Sequence, residues 1–245
     1  MRRQRRPPAG RARAYTLIEL LVVMGIITLL AALTLSAINH GLVVVHTVKT
    51  ANIIHTLTVG LERFYKDWGV YPPSDSAHGG AGDKTTGTQF LAYYLMGPDG
   101  KGWVGAAPFG SASTSDRWGP YFQYDGPATT VVDAFNPGKP IFYFRAERGE
   151  INEFDVADNP TDSSGPPDEG FANQPHLNLL VKRTDPADPS KSRWLQAPYL
   201  LVSPGPDRFY GYVKKDASGN MVAAAQADVT SGLAVCDDIA NFSFK

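Results

Sequence analysis

The chain has 245 residues, enough for one sizeable domain or two small ones, and its 23 basic residues nearly balance 24 acidic ones. Six arginines stand in residues 1–14, which contain no acid, so the remainder carries 17 bases against 24 acids, a formal net charge of −7. This acidity argues against a nucleic-acid-binding domain, because phosphate neutralisation needs clustered Lys and Arg. The single cysteine, Cys236, excludes an intramolecular disulfide and a Cys-rich metal site.

A long uncharged segment follows the basic N-terminus. Residues 20–48 carry no charge if His is counted as neutral, and residues 20–38 are almost entirely apolar. A helix over residues 20–38 is about 28 Å long, close to the thickness of a bilayer's hydrocarbon core. The segment predicts one transmembrane helix, with the arginine-rich N-terminus in the cytoplasm and the remainder outside. A plain signal anchor and an atypical signal peptide are the alternatives, although no evident A-x-A cleavage site follows the run.

One acidic residue, Glu19, marks the start of this apolar run. Ala14 precedes the aromatic Tyr15, and Glu19 is the fifth residue if Tyr15 is counted as the first. This order resembles the cleavage and methylation motif of type IV pilins and type II secretion pseudopilins, although the family usually has Gly in place of Ala14. The macrodipole of the helix and snorkelling into the headgroups would explain an isolated glutamate. They do not explain the rest of the motif.

The resemblance implies a cycle of processing and assembly. A prepilin peptidase removes residues 1–14 and methylates the new amino terminus at Tyr15. An assembly ATPase and an inner-membrane platform then move the subunit from the lipid bilayer into a filament with its own copies and other pseudopilins. A carboxylate near hydrocarbon costs about 3 kcal/mol on translocon scales. We therefore expect Glu19 to pair with the Tyr15 amine of a neighbouring subunit and to set the axial register.

Helical periodicity continues beyond the apolar run. Apolar residues recur three or four apart at Ile53, Leu57, Leu61, Phe64, Tyr65 and Trp68. We expect one helix from Tyr15 to Trp68, with a weak point at residues 39–41, a cap at Gly69 and a stop at Pro72 and Pro73. The resemblance implies an α+β, type IV pilin-like fold, in which the first half of this helix spans the membrane and the second half packs on a small antiparallel sheet with long loops.

The predicted organisation has four parts. They are a leader peptide over residues 1–14, a transmembrane and assembly helix over 15–40, a periplasmic half-helix over 41–69 and a β-rich head over 70–245. Strand-like runs in the head cover residues 121–124, 129–132, 140–145, 177–182 and 199–202. Loops rich in Gly, Pro, Ser and Asp separate them. Residues 132–143 are also similar to a hairpin of major pseudopilins, with a longer loop.

The C-terminal region contains a possible cation site. Residues 203–211 and 236–242 resemble the calcium loop of major pseudopilins, and the resemblance implies Ca²⁺ ligands at Asp207 and Asp238, with Asp237 as a third. Calcium takes about six to eight hard oxygen ligands, which such a loop can supply. Arg208 replaces the usual Gly, and residues 211–234 form a longer insertion than expected. A turn with solvated acids is the alternative, since Arg208 could pair with an Asp and make the metal unnecessary.

Three functions remain open from the sequence. The first is a pseudopilin of a type II secretion-like filament, a structural subunit that is not an enzyme and has no nucleic-acid partner. The second is a type IV pilin for adhesion, motility or DNA uptake, although major pilins often carry Pro where this chain has Ser36, and a C-terminal disulfide that one cysteine cannot form. The third is a membrane-anchored periplasmic enzyme or sugar-binding domain, with Trp103, Trp118 and Tyr121 as stacking surfaces, although aromatic residues in loops more often form small satellite cores. The sequence contains no G-x-S-x-G elbow and no H-E-x-x-H helix to support catalysis.

Overall fold

A computed structural model describes residues 15–75, 83–104, 117–126, 129–146, 154–159, 171, 173–183 and 193–242. The predicted leader, residues 1–14, lies outside these ranges. The chain forms two compact units, Met1–Val44 and Val45–Lys245. A long N-terminal helix followed by small antiparallel sheets confirms the predicted α+β, type IV pilin-like layout.

Helix α1 runs from Leu17 to Trp68 and has 52 residues. It ends where the sequence predicts, because Gly69 adopts a φ of +70° and donates its N–H to the Tyr65 carbonyl at 2.7 Å. The weak point expected at residues 39–41 is wrong, since the helix continues through them. A glycine inside a helix costs about 1 kcal/mol, which is too little to interrupt a helix of this length.

The C-terminal part of α1 buries one face. Ile54, Leu57, Leu61 and Phe64 are buried in the core, and Ile53 and Trp68 pack against it. This confirms most of the predicted apolar stripe, whereas Tyr65 is 44% exposed. The residues follow helical spacing because only positions three and four apart share a helix face.

The main sheet explains why its strands are apolar at successive positions. Strand β3, Phe142–Arg145, and strand β6, Tyr199–Ser203, are antiparallel, and β9, Ile239–Ala240, pairs with the other edge of β6. Tyr143 and Leu201 face the core that contains α1, while Phe144 and Leu200 face a second core that contains Leu177. The sheet is therefore buried on both faces, as continuous apolar runs indicate.

Three short strand pairs complete the strand content of the described residues beside this sheet, and two short helices accompany them. Three two-stranded pairs are antiparallel: β1 (Trp103–Val104) with β2 (Arg117–Trp118), β4 (Lys182–Arg183) with β5 (Arg193–Trp194), and β7 (Val213–Lys215) with β8 (Met221–Ala223). A short helix, α4, covers Gln226–Thr230 within the predicted insertion. A 3-10 helix covers Val156–Asp158.

Two of the five predicted strands are confirmed. Two others are wrong, and one is reduced to an isolated bridge. Strand β3 lies in the predicted run 140–145, and β6 covers the run 199–202 and extends to Ser203. Residues 121–124 contain no strand, and the run 129–132 keeps one isolated bridge, between Val132 and Pro140. That bridge closes the predicted hairpin, since Asp133 N–H also donates to the Lys139 carbonyl at 2.8 Å.

The predicted strand at residues 177–182 is instead mainly helix α3, Gln174–Val181. Asn173 caps this helix, because its side chain accepts the backbone N–H of His176 at 3.0 Å. Pro175 lies in the first turn, where its missing N–H has no cost. Leu177 and Val181 are four apart and both buried, so helical spacing satisfies the same apolar residues.

Helix α2, Gly87–Met96, is an element that the sequence analysis did not assign. Thr86 is its N-cap, with a side chain that accepts the Gln89 N–H. Phe90, Leu91 and Leu95 are buried in the same core as α1. The capping threonine and this helical spacing were readable in the sequence and would have predicted it.

Candidate functional site

The N-terminal motif is built as the first turn of α1. Thr16 directly precedes the helix, and its N–H and hydroxyl both donate to Oε2 of Glu19 at 2.8 Å. In return, the Glu19 N–H donates to Oγ1 of Thr16 at 3.3 Å. These reciprocal bonds form a capping box, which satisfies backbone donors that the helix leaves without partners. Tyr15 lies just outside and is 85% exposed, while Ala14 lies outside the described residues.

Thr16 is a residue of this motif that the sequence analysis missed. The spacing Thr-x-x-Glu immediately before an apolar run is a recognised N-terminal signature. It shows that Glu19 has a local structural role in addition to the one expected from the family resemblance. The carboxylate is already hydrogen-bonded within its own chain, so Glu19 is not a bare charge at the edge of the apolar segment.

The apolar residues after Glu19 have no core of their own. Large side chains from Leu20 to Val48 are exposed, among them Leu33 at 65% and Leu35 at 66%. Within the part of the chain that the structure describes, α1 is the one helix long and apolar enough to cross a membrane. A helix that is apolar on every side needs lipid or other helices around it. The side chains of this segment therefore form an apolar surface that suits contact with lipid or with other helices.

The C-terminal loop brings the three predicted ligands into one hydrogen-bonded turn. Asp237 accepts the backbone N–H of Asp207 at 3.0 Å, and Asp207 accepts the N–H of Phe209 at 2.9 Å. Asp238 accepts the N–H of Gly211 at 2.7 Å through Oδ2. Its other oxygen, Oδ1, is buried and has no hydrogen-bond partner among the described residues. The three acids therefore lie near one another in the head.

Burial and mutual repulsion raise the pKa values of Asp207 and Asp238. Burial, a hydrogen bond from protonated Asp207 to Asp237, and the charge of Asp237 raise the pKa of Asp207 to about 7, against the opposing effect of the Phe209 N–H. Burial also raises the pKa of Asp238 well above its usual value, and the charges of Asp207 and Asp237 add to that effect. Nearby positive charge would favour the ionised carboxylates.

Arg208 does not supply that charge to the three acids. It adopts a φ of +73°, in the left-handed region that favours the glycine usual at this position. Its guanidinium lies 3.6 Å from the buried carboxylate of Asp133 and donates to the Pro137 carbonyl. Arg208 thus pairs with an Asp, as the alternative reading anticipated, but with one outside the predicted ligand set.

The fit of this loop to a cation is partial. Carboxylate oxygens, one of them buried and without a partner, have the chemistry that Ca²⁺ prefers. However, no three or more His, Cys, Asp or Glu side chains within the described ranges are grouped closely enough to hold a metal ion. A bound ion would therefore require movement of Asp207, Asp237 or Asp238, and calcium binding stays a prediction.

The aromatic residues considered for sugar stacking belong to the core instead. Trp103 is 6% exposed and Tyr121 is 8% exposed, while Trp118 packs against the same cluster. The Tyr121 hydroxyl is held between Asp67, to which it donates, and Trp68, from which it accepts. The expected exposure of Trp103 and Tyr121 is wrong, because their rings fill the space beside α1 and α2.

Comparison with known protein families gives one match. A family model described as the prokaryotic N-terminal methylation motif matches residues 10–35. No curated protein and no solved structure matches the chain. The matched segment includes Ala14, Tyr15, the Thr16 and Glu19 pair, and the first part of the apolar helix. The chain therefore carries a prepilin signal of the type IV pilin and pseudopilin type, which indicates a membrane-anchored, pilin-like subunit processed by prepilin peptidase.

Proposed function

We propose that this protein is a pseudopilin, a structural subunit of a type II secretion-like filament in a diderm cell envelope. The methylation motif at residues 10–35 is the observation that carries this proposal. Cleavage between Ala14 and Tyr15 removes the basic leader and creates a new amino group. The mature helix then exchanges lipid for the helices of other subunits, and the subunit itself carries out no covalent chemistry.

Glu19 is the assembly residue in this proposal. Its capping bonds involve Thr16 and not Tyr15, so both partners remain in the chain after cleavage. The capping box can therefore satisfy Oε2 of Glu19 while the subunit is still surrounded by lipid. The negative charge remains, and the cationic amine of Tyr15 on a neighbouring subunit is a suitable partner for it. This pairing would fix the axial position of each subunit.

The proposed topology follows from charge. Six arginines precede the apolar helix, so the N-terminus stays in the cytoplasm and the acidic remainder lies in the periplasm. The subunit is thus a single-pass inner-membrane protein before assembly. Its partners are prepilin peptidase, the lipid bilayer, an inner-membrane platform with its ATPase, copies of itself and other pseudopilins.

Two observations favour the secretion branch over a type IV pilus. Helix α1 continues without a break through Ser36. Major pilins often carry a helix-kinking Pro at this position. Cys236 is a lone cysteine in the sequence. The sugar-binding alternative loses its main support, because Trp103 and Tyr121 are buried. A pilus subunit remains the second candidate on the strength of the shared motif.

Mass spectrometry of the protein isolated from its native membrane tests the proposal. We expect a mature chain that starts at N-methylated Tyr15. A variant with a bulky charged residue at the cleavage site, Ala14→Asp, should retain Met1 and accumulate in the membrane. A native chain that keeps its leader, or starts at another residue, would contradict processing by prepilin peptidase.

A further inference from the structure

Four large hydrophobic side chains remain exposed beyond the uncharged segment. Among the described residues after Val48, these are Val59 and Tyr65 on α1, and Leu233 and Val235 near the C-terminus. Leu233 is 69% exposed and Val235 is 61% exposed. In the described residues from 70 onwards, Leu233 and Val235 are the only large hydrophobic side chains classed as exposed. They therefore mark a distinct surface of the head.

Backbone hydrogen bonds hold this surface in place. Val235 and Val213 exchange two N–H to carbonyl bonds of 2.9 Å, and the Leu233 N–H donates to the Asp228 carbonyl at 2.9 Å. Residues two apart on an extended chain point to the same side. Leu233 and Val235 can thus present their side chains together. Fixing the backbone in advance reduces the entropy lost when such a surface binds a partner.

The charged residues that flank Leu233 and Val235 in the sequence are acidic. Residues 226–242 contain three acids and no Lys or Arg. Asp228 is paired with Lys214 at 2.8 Å. Asp237 is exposed and lies two residues beyond Val235. A partner for this surface should therefore offer an apolar contact beside a positive charge.

The outer face of α1 has that combination. Val59, Arg63 and Lys66 are exposed and lie at spacings of four and three residues, on one face of the helix. Residues 49–67 contain three bases and two acids, Glu62 and Asp67. Oε1 of Glu62 accepts hydrogen bonds of 3.1 Å from the hydroxyls of Tyr71 and Tyr199. Asp67 also accepts a hydrogen bond, of 2.9 Å from the Tyr121 hydroxyl. Both acids are thus bonded to tyrosine hydroxyls of their own chain, whereas Arg63 and Lys66 are exposed bases beside Val59.

We propose that the segment Leu233–Asp237 of one copy docks on the Val59–Lys66 face of a second copy. Extended residues two apart are separated by about 6.6 Å, and helical residues four apart by about 6 Å, so Val235 and Asp237 can face Val59 and Arg63 together. The two surfaces are different, and such a heterologous contact repeats from copy to copy, which gives a helical filament unless the rotation closes into a ring. The inference rests on the proposed function as a filament subunit.

Mixed cysteine crosslinking tests this contact in the full-length protein. One chain carries Val59→Cys and the other Val235→Cys, each with its own epitope tag and with Cys236→Ser, and both are produced together in the native assembly system. Because each chain has one cysteine, a disulfide carrying both tags joins two copies. We expect this product on mild oxidation. A control pair, Val59→Cys with Ser218→Cys, places the second cysteine on the exposed β7 to β8 turn and should give little of it.

Charge reversal sharpens the test. Arg63→Glu should lower the crosslink yield up to about fivefold, the upper range for an exposed ion pair, and Asp237→Arg in the other chain should restore it. A cation bound to Asp237 would compete with this attraction, so the yield is measured with chelator and with Ca²⁺. Equal yields from the test pair and the control pair would overturn the proposed contact.

The outcome also separates this contact from the function on which it rests. Filaments from the single variants, observed by electron microscopy, combined with no crosslink would overturn the docking surface and leave the pseudopilin proposal standing. Failure of the parent chain to form filaments in the same cells would overturn both. Filaments, a crosslink specific to Val235→Cys and restoration by the reversed charges would support both.

Discussion

The two parts of helix α1 differ in where their apolar side chains go. In the part before Lys49, leucines such as Leu33 are 65% exposed, whereas Leu61 in the second part is fully buried. The secondary structure and residue type are the same in both. What differs is the pattern, since the first part is apolar on all sides and the second has a single apolar stripe.

One continuous helix can therefore depend on two different environments. The second part is stabilised by the core of its own chain, through Leu57, Leu61 and Phe64. The first part buries none of its apolar window within the chain, so its stability depends on lipid or on neighbouring subunits. Changes in the first part should alter assembly, and changes in the second should alter folding.

Loss of the Glu19 carboxylate should have the largest effect. Glu19→Ala should leave the protein in the membrane and lower the amount of sheared filament by about tenfold or more, equivalent to at least ~1.4 kcal/mol per contact. Glu19→Gln is the matched variant, because Gln also serves in a capping box but carries no charge. Normal filaments from Glu19→Gln would show that the capping role, and not charge pairing, explains the residue.

Truncation of a leucine should separate the two parts of α1 directly. Leu61→Ala should lower the free energy of unfolding of the detergent-solubilised chain by about 3 kcal/mol, because a fully buried leucine leaves a cavity. Leu33→Ala removes the same atoms from an exposed position and should leave it within about 0.5 kcal/mol. Urea titration of both variants gives the comparison. Equal losses would contradict the division of the helix into two environments.

Calcium should stabilise the head if the acidic loop binds it. At a free concentration about 100 times Kd, binding would add about 2.7 kcal/mol and raise Tm relative to chelator. Asp238→Asn should abolish that shift, and Asp125→Asn, which changes an exposed acid elsewhere, should preserve it. An identical Tm in Ca²⁺ and in chelator would exclude this cation site.

Two glycines of α1 provide a smaller test. A Cβ built on Gly60 would lie 2.9 Å from the Tyr121 carbonyl oxygen, whereas one on Gly41 has no atom within 4 Å. Gly60→Ala should therefore destabilise the head by about 1 to 3 kcal/mol through overpacking. Gly41→Ala should be neutral or slightly stabilising, since Ala favours a helix by about 1 kcal/mol over Gly. Thermal unfolding of both variants measures the contrast, and destabilisation by both would contradict it.

The smallest effect concerns pH. His176 is buried with Nε2 2.7 Å from the Tyr212 carbonyl oxygen, and burial lowers its pKa below 6.5, partly opposed by that carbonyl. The unfolded chain binds a proton more readily, so this residue's contribution to stability is complete above pH 6.5 and is lost as the pH falls. His176→Gln should make the acid-induced loss of stability shallower.

The comparison with a control isolates that contribution. The raised pKa of Asp207 acts in the opposite direction over part of the same pH range, but it is present in both proteins and cancels in the difference. His55→Gln, at an exposed position of α1, should leave the slope unchanged. Parallel curves for the parent chain and His176→Gln would show that the buried imidazole does not contribute.

Local patterns in the sequence predicted the elements whose residues are compatible with only one type of secondary structure. The uncharged run and the spacing of Leu57, Leu61 and Phe64 both demand a helix, and Gly69 ends it. The runs around β3 and β6 are apolar at successive positions, as strands covered on both faces require. Local signals were present but overlooked at Thr16 and Thr86, where a capping side chain marks each helix start.

The incorrect predictions concern apolar residues whose secondary structure or burial depends on other parts of the chain. Leu177 and Val181 suit a strand or a helix, and the cap at Asn173 decided for the helix. The aromatic residues Trp103 and Tyr121 stand in loop-like sequence, but neighbouring elements bury them. Composition does not specify such burial, because it depends on residues far away in the chain.

The long helix, its apolar segment and the motif at its start follow from the sequence, because they depend on neighbours within a few residues and on helical periodicity. The packing of the head is what brings Asp207, Asp237 and Asp238 near one another and pairs Arg208 with Asp133. Contacts between residues some 30 to 75 positions apart follow from how the strands and loops pack, and no local pattern records that arrangement.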